Sequence, residues 1–472
     1  MFGVVILLLS SLLRDADAFK FLCYSPNFGS SHSNFMGKIS DALIDAGHDV
    51  VMLTPIFDDS IWTGSKKARI IEVPQCEESR KLQDSMHSDD GLIDTLWTSD
   101  QDPKEIMDAF MEFFDPIIAQ CNATIHHPGL IERLREEKFD AAFVEFDDCG
   151  YGLFQLLGID KYRAGYLIIR MGDVFRRINP SFPEIEELKK NVSYVFLNSE
   201  PLTDFPRPIT SKVIDIGGIV VPQKHLPLNQ TWSSIMDLRP RTVLLSFGTF
   251  VQAYRMPAAY KETIRATIRQ FPDTTFIWKY EKPYHNISRG IPNLIETTWV
   301  PQTDMLRDTR LTAFITHCGQ GSTTEANTAG VPLLVIPVAA DQVRNAQQVK
   351  RNGVGVVLKK TSLSSVGPLE AALRELLSNP SYRANAARMA RMLVNRPFPM
   401  RDTFVRHMEF LAEFGPLRQL DHYGARLNTL QYYSIDIVAF LVTCVVLLIL
   451  VTVAALKCVL GDVIQIAKKK IE

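Results

Sequence analysis

The sequence has little cysteine and almost no excess charge of either sign, and each shortage closes off a class of protein. Seven Cys in 472 residues are too few for a disulfide scaffold. With 51 Lys and Arg against 53 Asp and Glu the formal charge is -2, so there is no basic field to hold a phosphate backbone, and nucleic acid is not expected as a partner. Hydrophobic residues at 46% and charged residues at 22% sit near the globular average, which excludes wholesale disorder. No fixed-period repeat or low-complexity tract is present, and the length allows about two or three compact domains at roughly 150 residues each.

The two ends depart from the average. Phe2 to Leu13 is an apolar run, and Ala16-Asp17-Ala18 supplies small residues two apart, the pattern of a signal peptide over 1–18; a first buried strand is the alternative. Ile437 to Leu456 is free of charge, about 30 Å of helix and enough to cross a bilayer. Lys457, Lys468, Lys469 and Lys470 follow that span, whereas Arg426 is the cation just before it. The tail 457–472 is therefore expected in the cytoplasm and the bulk of the chain in the lumen, a single-pass type I arrangement. Sequons at Asn122, Asn191, Asn229 and Asn286 fit a lumenal glycoprotein. The final Lys469-Lys470-Ile471-Glu472 looks like the dilysine retrieval signal of endoplasmic reticulum membrane proteins, or else is a solvated basic tail.

Between the ends, strand and helix patterns alternate. Phe19 to Tyr24 reads as a strand, Phe35, Ile39, Ala42, Leu43 and Ala46 mark one helical face, and Gly47 ends that helix before a strand at Val50 to Thr54. The second half repeats the rhythm. Strands are expected at Thr242 to Phe247, Thr275 to Tyr280, Leu311 to Thr316 and Leu333 to Ile336, with helices from Pro257 to Gln270, from Ser322, and from Asp341 to Asn352. Such alternation predicts parallel sheets flanked by helices, an α/β fold. Val220 to Arg241 is rich in Pro and polar residues and lacks periodicity, as a linker would. The expected order is a first domain over 19–220, a linker over 221–241, a second domain over 242–420, a juxtamembrane segment over 421–436, and the span 437–456.

Ligands of open parallel sheets collect beyond the carboxyl ends of the strands. There His317-Cys318-Gly319-Gln320-Gly321-Ser322 follows a strand and opens a helix, with glycines that let backbone approach a ligand and free amides that attract phosphate. Ser322-Thr323-Thr324-Glu325 reads equally as a capping box. Upstream, Trp299 and Gln302 suit stacking on a flat base and bonding its edge; Glu325 suits ribose hydroxyls; downstream, Asp341 and Gln342 suit neighbouring sugar hydroxyls.

The stretch Trp299 to Asn345 closely resembles the signature of the UDP-glycosyltransferases, especially the membrane-bound animal branch that includes the glucuronosyltransferases. The resemblance extends to SPNFGSSHSNF and GHDV near the amino end, to LNSEP and IGGI near 197 to 219, to LLSFGT at 244 to 249, and to the span and basic tail. It implies a GT-B fold of two Rossmann-like domains facing a cleft, with a UDP-sugar, UDP-glucose or UDP-glucuronate, in the second domain and a small lipophilic acceptor in the first. By resemblance Trp299 and Gln302 meet uracil, Glu325 the ribose, His317, Gly319, Gly321 and Ser322 the diphosphate, and Asp341 and Gln342 the sugar. No cofactor is implied, since the UDP-sugar is a co-substrate, and no metal; an oligomer is left open.

The family's catalytic His falls on His32, in the loop after the first strand, where it would take the acceptor proton as UDP leaves with inversion. The residue matching the family's carboxylate partner is Glu145, where the family commonly has Asp; Asp148 is the alternative. Asp100-Gln101-Asp102 matches the DxD pattern of metal-dependent transferases but lies outside any strand end. Phe28, Phe35, Met36, Trp62 and the face of Met107, Phe110 and Phe114 are read either as an acceptor pocket or as core. A glucuronate carboxylate wants a cation, and Arg344 is either its partner or a solvated helix residue. The region Ile159 to Asn179 is shorter than the family leads one to expect, which keeps a UDP-sugar-binding protein without transfer as the second reading. A membrane-tethered lectin is the third.

Overall fold

The computed structural model describes residues 18–88, 92–99, 114–145, 147–159, 162–163, 172–222 and 226–469. Residues 1–17 of the expected signal peptide, Asp100-Gln101-Asp102, Met107, Phe110 and the last three residues of the dilysine motif lie outside the described residues, as do 160–161 and 164–171.

In the first domain, buried apolar runs form β1 (Lys20–Tyr24), β2 (Asp49–Pro55) and β4 (Ala141–Val144), with β3 (Arg69–Val73) and β5 (Tyr162–Arg163) outside them. The five are parallel in the order β3-β2-β1-β4-β5. Helices cover both faces of such a sheet, so its central strands carry continuous hydrophobic sequence rather than alternation, as FLCY in β1 does. Helix α1 (Ser30–Asp45) turns Phe35, Ile39, Ala42 and Leu43 inward. Ala46, expected on that face, is the exposed C-cap, and Gly47 follows at φ 98°, a conformation glycine adopts without strain. Helix α2 (Leu92–Thr98) leaves this domain's core and is described below. Helix α3 (Phe114–Ile125) and helix α4 (Asp148–Leu156) are joined by a Cys121–Cys149 disulfide. A two-stranded parallel pair, β6 (Val195–Leu197) and β7 (Val213–Asp215), completes this half.

The stretch read as an aperiodic linker contains helix α5 (Gln230–Met236), capped by the Asn229 side chain accepting from the Trp232 amide. Met236 joins the second core. A short apolar face of Trp232, Ile235 and Met236 was hidden among polar neighbours, which is why periodicity missed it.

The second sheet holds β8 (Arg241–Ser246), β9 (Thr274–Lys279), β10 (Leu294–Thr297), β11 (Leu311–Thr316), β12 (Leu333–Val335) and β13 (Gly355–Val357), all parallel in the order β10-β9-β8-β11-β12-β13. Helices α6 (Gln302–Leu306), α7 (Gln320–Ala329) and α8 (Gln342–Arg351) begin just past strands and carry the candidate site.

Two segments cross between the halves. Ile93, Leu96 and Trp97 of α2 are buried in the second domain's core, with the Trp97 ring 5.1 Å from Phe247 and its Nε1–H donating to the Gln252 carbonyl at 3.1 Å. In return α9 (Met400–Phe414), within the range expected for the second domain, packs on the first sheet: Phe404 lies 6.3 Å from Phe143, and Glu409 pairs with His48 at 3.1 Å.

Residues 419–472 form a separate unit whose main element is α10 (Ile435–Lys469). Its stretch Ile435–Ile464 is long and apolar enough to cross a membrane.

Candidate active site

His32 stands in the first turn of α1, where the loop after β1 delivers it. That loop is pinned by Asn27, whose amide donates to the carbonyls of Asp58 and Ile61 and whose oxygen accepts from the Phe57 amide at 2.7 Å. The Phe28 ring lies 4.9 Å from the imidazole, tilted by 30° to it. Asn27 was not singled out from sequence, although an Asn just past a strand is a turn signal.

Glu145 sits at the end of β4, and its Oε1 lies 2.8 Å from His32 Nδ1. A carboxylate only accepts, so Nδ1 carries the proton and Nε2 keeps its lone pair. The His32 ring is 38% exposed, open to the crevice. Burial pulls its pKa down, but the Glu145 carboxylate outweighs that, Asp341 of the second domain adds to it, and the net result is above the ordinary value. Asp341 therefore acts electrostatically on His32 from across the crevice. The alternative partner Asp148 is fully buried in an ion pair with Lys189 at 2.7 Å, and Asp147, which caps α4, is pushed up to about 7 by burial.

Across the crevice, β11 ends at Thr316 and the chain reverses through His317, Cys318 and Gly319 into α7. Cys318 takes φ 68°, a conformation costing a non-glycine residue of order 1 kcal/mol. The His317 ring is wedged between two glycines: a Cβ on Gly248 would lie 2.7 Å from its Cε1, and one on Gly319 would lie 2.5 Å from its Nε2. Glycine at both positions is thus required by the imidazole. A Cβ on Gly321 would meet nothing within 4 Å, so the first turn of α7 is open.

The N-cap Gly319 offers no side-chain bond, and the capping-box reading is corrected: Glu325 turns away to accept from Gln302 at 2.8 Å and Thr303 at 3.0 Å. The amides of Gln320, Gly321 and Ser322 precede the first helical donor, the Thr323 amide bonded to the Gly319 carbonyl, and lie at the positive end of the helix. Burial pushes His317 down to about 4, helped by the Lys279 ammonium, so it is a neutral donor at physiological pH. Lys279, missed from sequence, holds the Gly248 carbonyl at 2.7 Å; its place at the end of β9 was the available signal.

Gln302 also donates to Ser322 at 3.2 Å, so Gln302, Ser322, Thr303 and Glu325 form one polar cluster. Burial raises the Glu325 carboxyl against the pull of its two donors. Trp299 is 63% exposed at the mouth of this cluster's loop. Asp341 accepts from Asn345 at 2.8 Å, while Gln342 is buried with its Oε1 committed to the Val338 and Ala339 amides. Gln342 can therefore offer a ligand only its NH₂ group.

The residues left open between pocket and core fall as follows. Phe35 and Met36 are buried in the core, and half-buried Phe114 packs against the same domain's core. Trp62 is 51% exposed. Arg344 pairs with Asp204 of the first domain and lies over the Phe205 ring at 5.7 Å.

Two parallel sheets joined in this way define a GT-B fold. The solved calicheamicin glycosyltransferase CalG4 shares this fold, with TM-score 0.59 and 17% identity over 85% of this chain and 100% of that one. The sequence profile described as UDP-glucoronosyl and UDP-glucosyl transferase matches residues 21–170 and 174–470, and the chain belongs to that family. Its relative ugt-48 of Caenorhabditis elegans is 27% identical, covering 89% of this chain and 91% of that protein. Mouse UDP-glucuronosyltransferase 1A7 is 25% identical, covering 95% and 92%. The chain is a hexosyltransferase using a UDP-sugar, which removes the lectin reading.

Proposed function

We propose that the protein transfers a hexose, glucose or glucuronate, from its UDP-sugar to a hydroxyl of small lipophilic acceptors, with inversion, in the endoplasmic reticulum membrane. The observation that carries the reading is the His32–Glu145 pair at 2.8 Å, placed under the influence of Asp341. His32 Nε2 takes the acceptor proton as the hydroxyl oxygen bonds to the anomeric carbon. The bond from that carbon to the diphosphate oxygen breaks on the opposite face, and UDP departs with the electron pair. Glu145 holds the ring and balances the imidazolium. Charge growing on UDP is met by the amides of 320–322 and by neutral His317, while Trp299 stacks on uracil and Gln302 and Glu325 take its edge and ribose.

An intact pair favours transfer over mere binding of UDP-sugar. The Cys121–Cys149 bond supports an oxidising lumen, and α10 supports a single-pass anchor. The test is acceptor-dependent UDP release by the full chain in detergent, compared with His32→Ala. UDP released at the same rate by both would overturn the assignment.

A further inference from the structure

Asp147 is a buried carboxyl that the transfer step does not use, 6% exposed and two residues beyond Glu145. Its Oδ1 accepts from the Cys149 amide at 2.8 Å, which caps α4, and the same carboxyl accepts from the hydroxyl of Tyr24. Tyr24 is 1% exposed and is the last residue of β1, the strand whose loop delivers His32. The contact therefore ties the helix that follows Glu145 to the strand that precedes His32. An unpaired carboxyl is costly to bury, and these two donors offset that cost.

The tie falls where the backbone gives none. β1 and β4 pair in register as far as Tyr24 and Val144. Past that point the ladder stops, and Glu145 and the His32 loop leave on separate chains. Helix α4 comes close to both strand ends: a Cβ on Gly150 would lie 2.7 Å from Val144 Cγ2 and 3.1 Å from Tyr24 Cδ1, so glycine is needed there. Two further anchors of α4 reach other elements, Asp148 pairing with Lys189 at 2.7 Å and Cys149 bonded to Cys121 of α3. A catalytic pair has to be held within about 0.5 Å of its productive geometry. A single residue separates Glu145 from Asp147, so a displacement of Asp147 passes to Glu145 with little loss, and the 2.8 Å contact to His32 has little slack.

We infer that Tyr24 and Asp147 are positioning residues for the transfer: their hydrogen bond locks the start of α4 to the end of β1 and thereby fixes Glu145 against His32. The inference rests on the assignment of His32 as base and Glu145 as its partner, proposed above.

The experiment uses the full chain in detergent with UDP-sugar and a hydroxyl-acceptor panel, and reads kcat, the KM for UDP-sugar and the pH profile, with thermal melts alongside. Tyr24→Phe removes one hydroxyl and keeps the ring in the core. It is expected to lower kcat by about 10- to 10²-fold and leave the KM for UDP-sugar unchanged. The acid limb should move to lower pH, because a Glu145 that drifts raises the His32 pKa less. Asp147→Ala should do the same. Asp147→Asn, whose amide still caps α4 and can bond the phenol, should restore the limb and most of kcat. A merely structural contact would lower the melting temperature and leave kcat and the limb of the folded enzyme in place, which overturns the inference. So does an Asp147→Asn variant that behaves like Asp147→Ala, since charge rather than the hydrogen bond would then be acting. The His32→Ala control separates the layers. If it leaves transfer intact, the base assignment falls and takes the inference with it; if it abolishes transfer while Tyr24→Phe changes nothing, the inference alone is overturned. Where Asp147→Ala does not fold, Tyr24→Phe decides.

Discussion

His32 and His317 both stand in loops after parallel strands, and their surroundings drive them to opposite charge states. His32 has a carboxylate on Nδ1 and a second one across the crevice, so its cation is favoured. His317 is packed between two glycines with an ammonium nearby, so its neutral form is favoured. In the proposed reaction one imidazole receives a proton and the other donates a hydrogen bond without titrating. Environment assigns the role, and the residue type alone does not.

The contrast breaks most sharply at His32. Replacing it with Ala is expected to cut kcat by about 10²- to 10⁴-fold while heat protection by UDP persists. Glu145→Gln should cost roughly 10²-fold in kcat, within the same range, and the pH profile should shift. A base works when neutral, so activity rises with pH through the raised His32 pKa; removing the carboxylate moves that acid limb to lower pH. An unmoved limb would deny Glu145 its part. Trp299→Ala should weaken UDP by about 1–3 kcal/mol, read as a higher Kd in calorimetry with kcat at saturation preserved.

The smallest effect concerns stability. Between about 4 and the ordinary 6.5, His317 is neutral when folded and protonated when unfolded. The unfolded state then binds more protons, so stability falls as pH drops through that window. His317→Asn should flatten this fall in thermal melts taken from pH 6.5 to pH 4. His32 has the opposite sign: its raised pKa contributes stability below 6.5 that disappears as pH rises through the folded value.

Much of the second half was legible. The strand Leu311 to Thr316 came out with its ends right, and the loops proposed to hold the donor do open helices just past strands, as their residue sets suggested. The pairing of His32 with Glu145 was reachable by resemblance alone, since 113 residues separate the two and no local pattern links them. The capping box misled because Ser322 and Glu325 have the right spacing, whereas the nearby Gln302 and Thr303 provide stronger partners. The crossing of α2 and α9 was invisible: their apolar faces fix burial but not the sheet that receives them.

That crossing limits how the molecule can be dissected. A gene cut near residue 221 would yield a carboxy-terminal fragment with a void where the indole of Trp97 belongs, and with the Lys360 ammonium deprived of the Leu96 carbonyl it holds. Truncating a buried tryptophan costs about 3–5 kcal/mol, a large share of what a domain has to spare. Nucleotide-binding studies on such a fragment would report on a damaged object unless the peptide spanning 92–99 were supplied in trans.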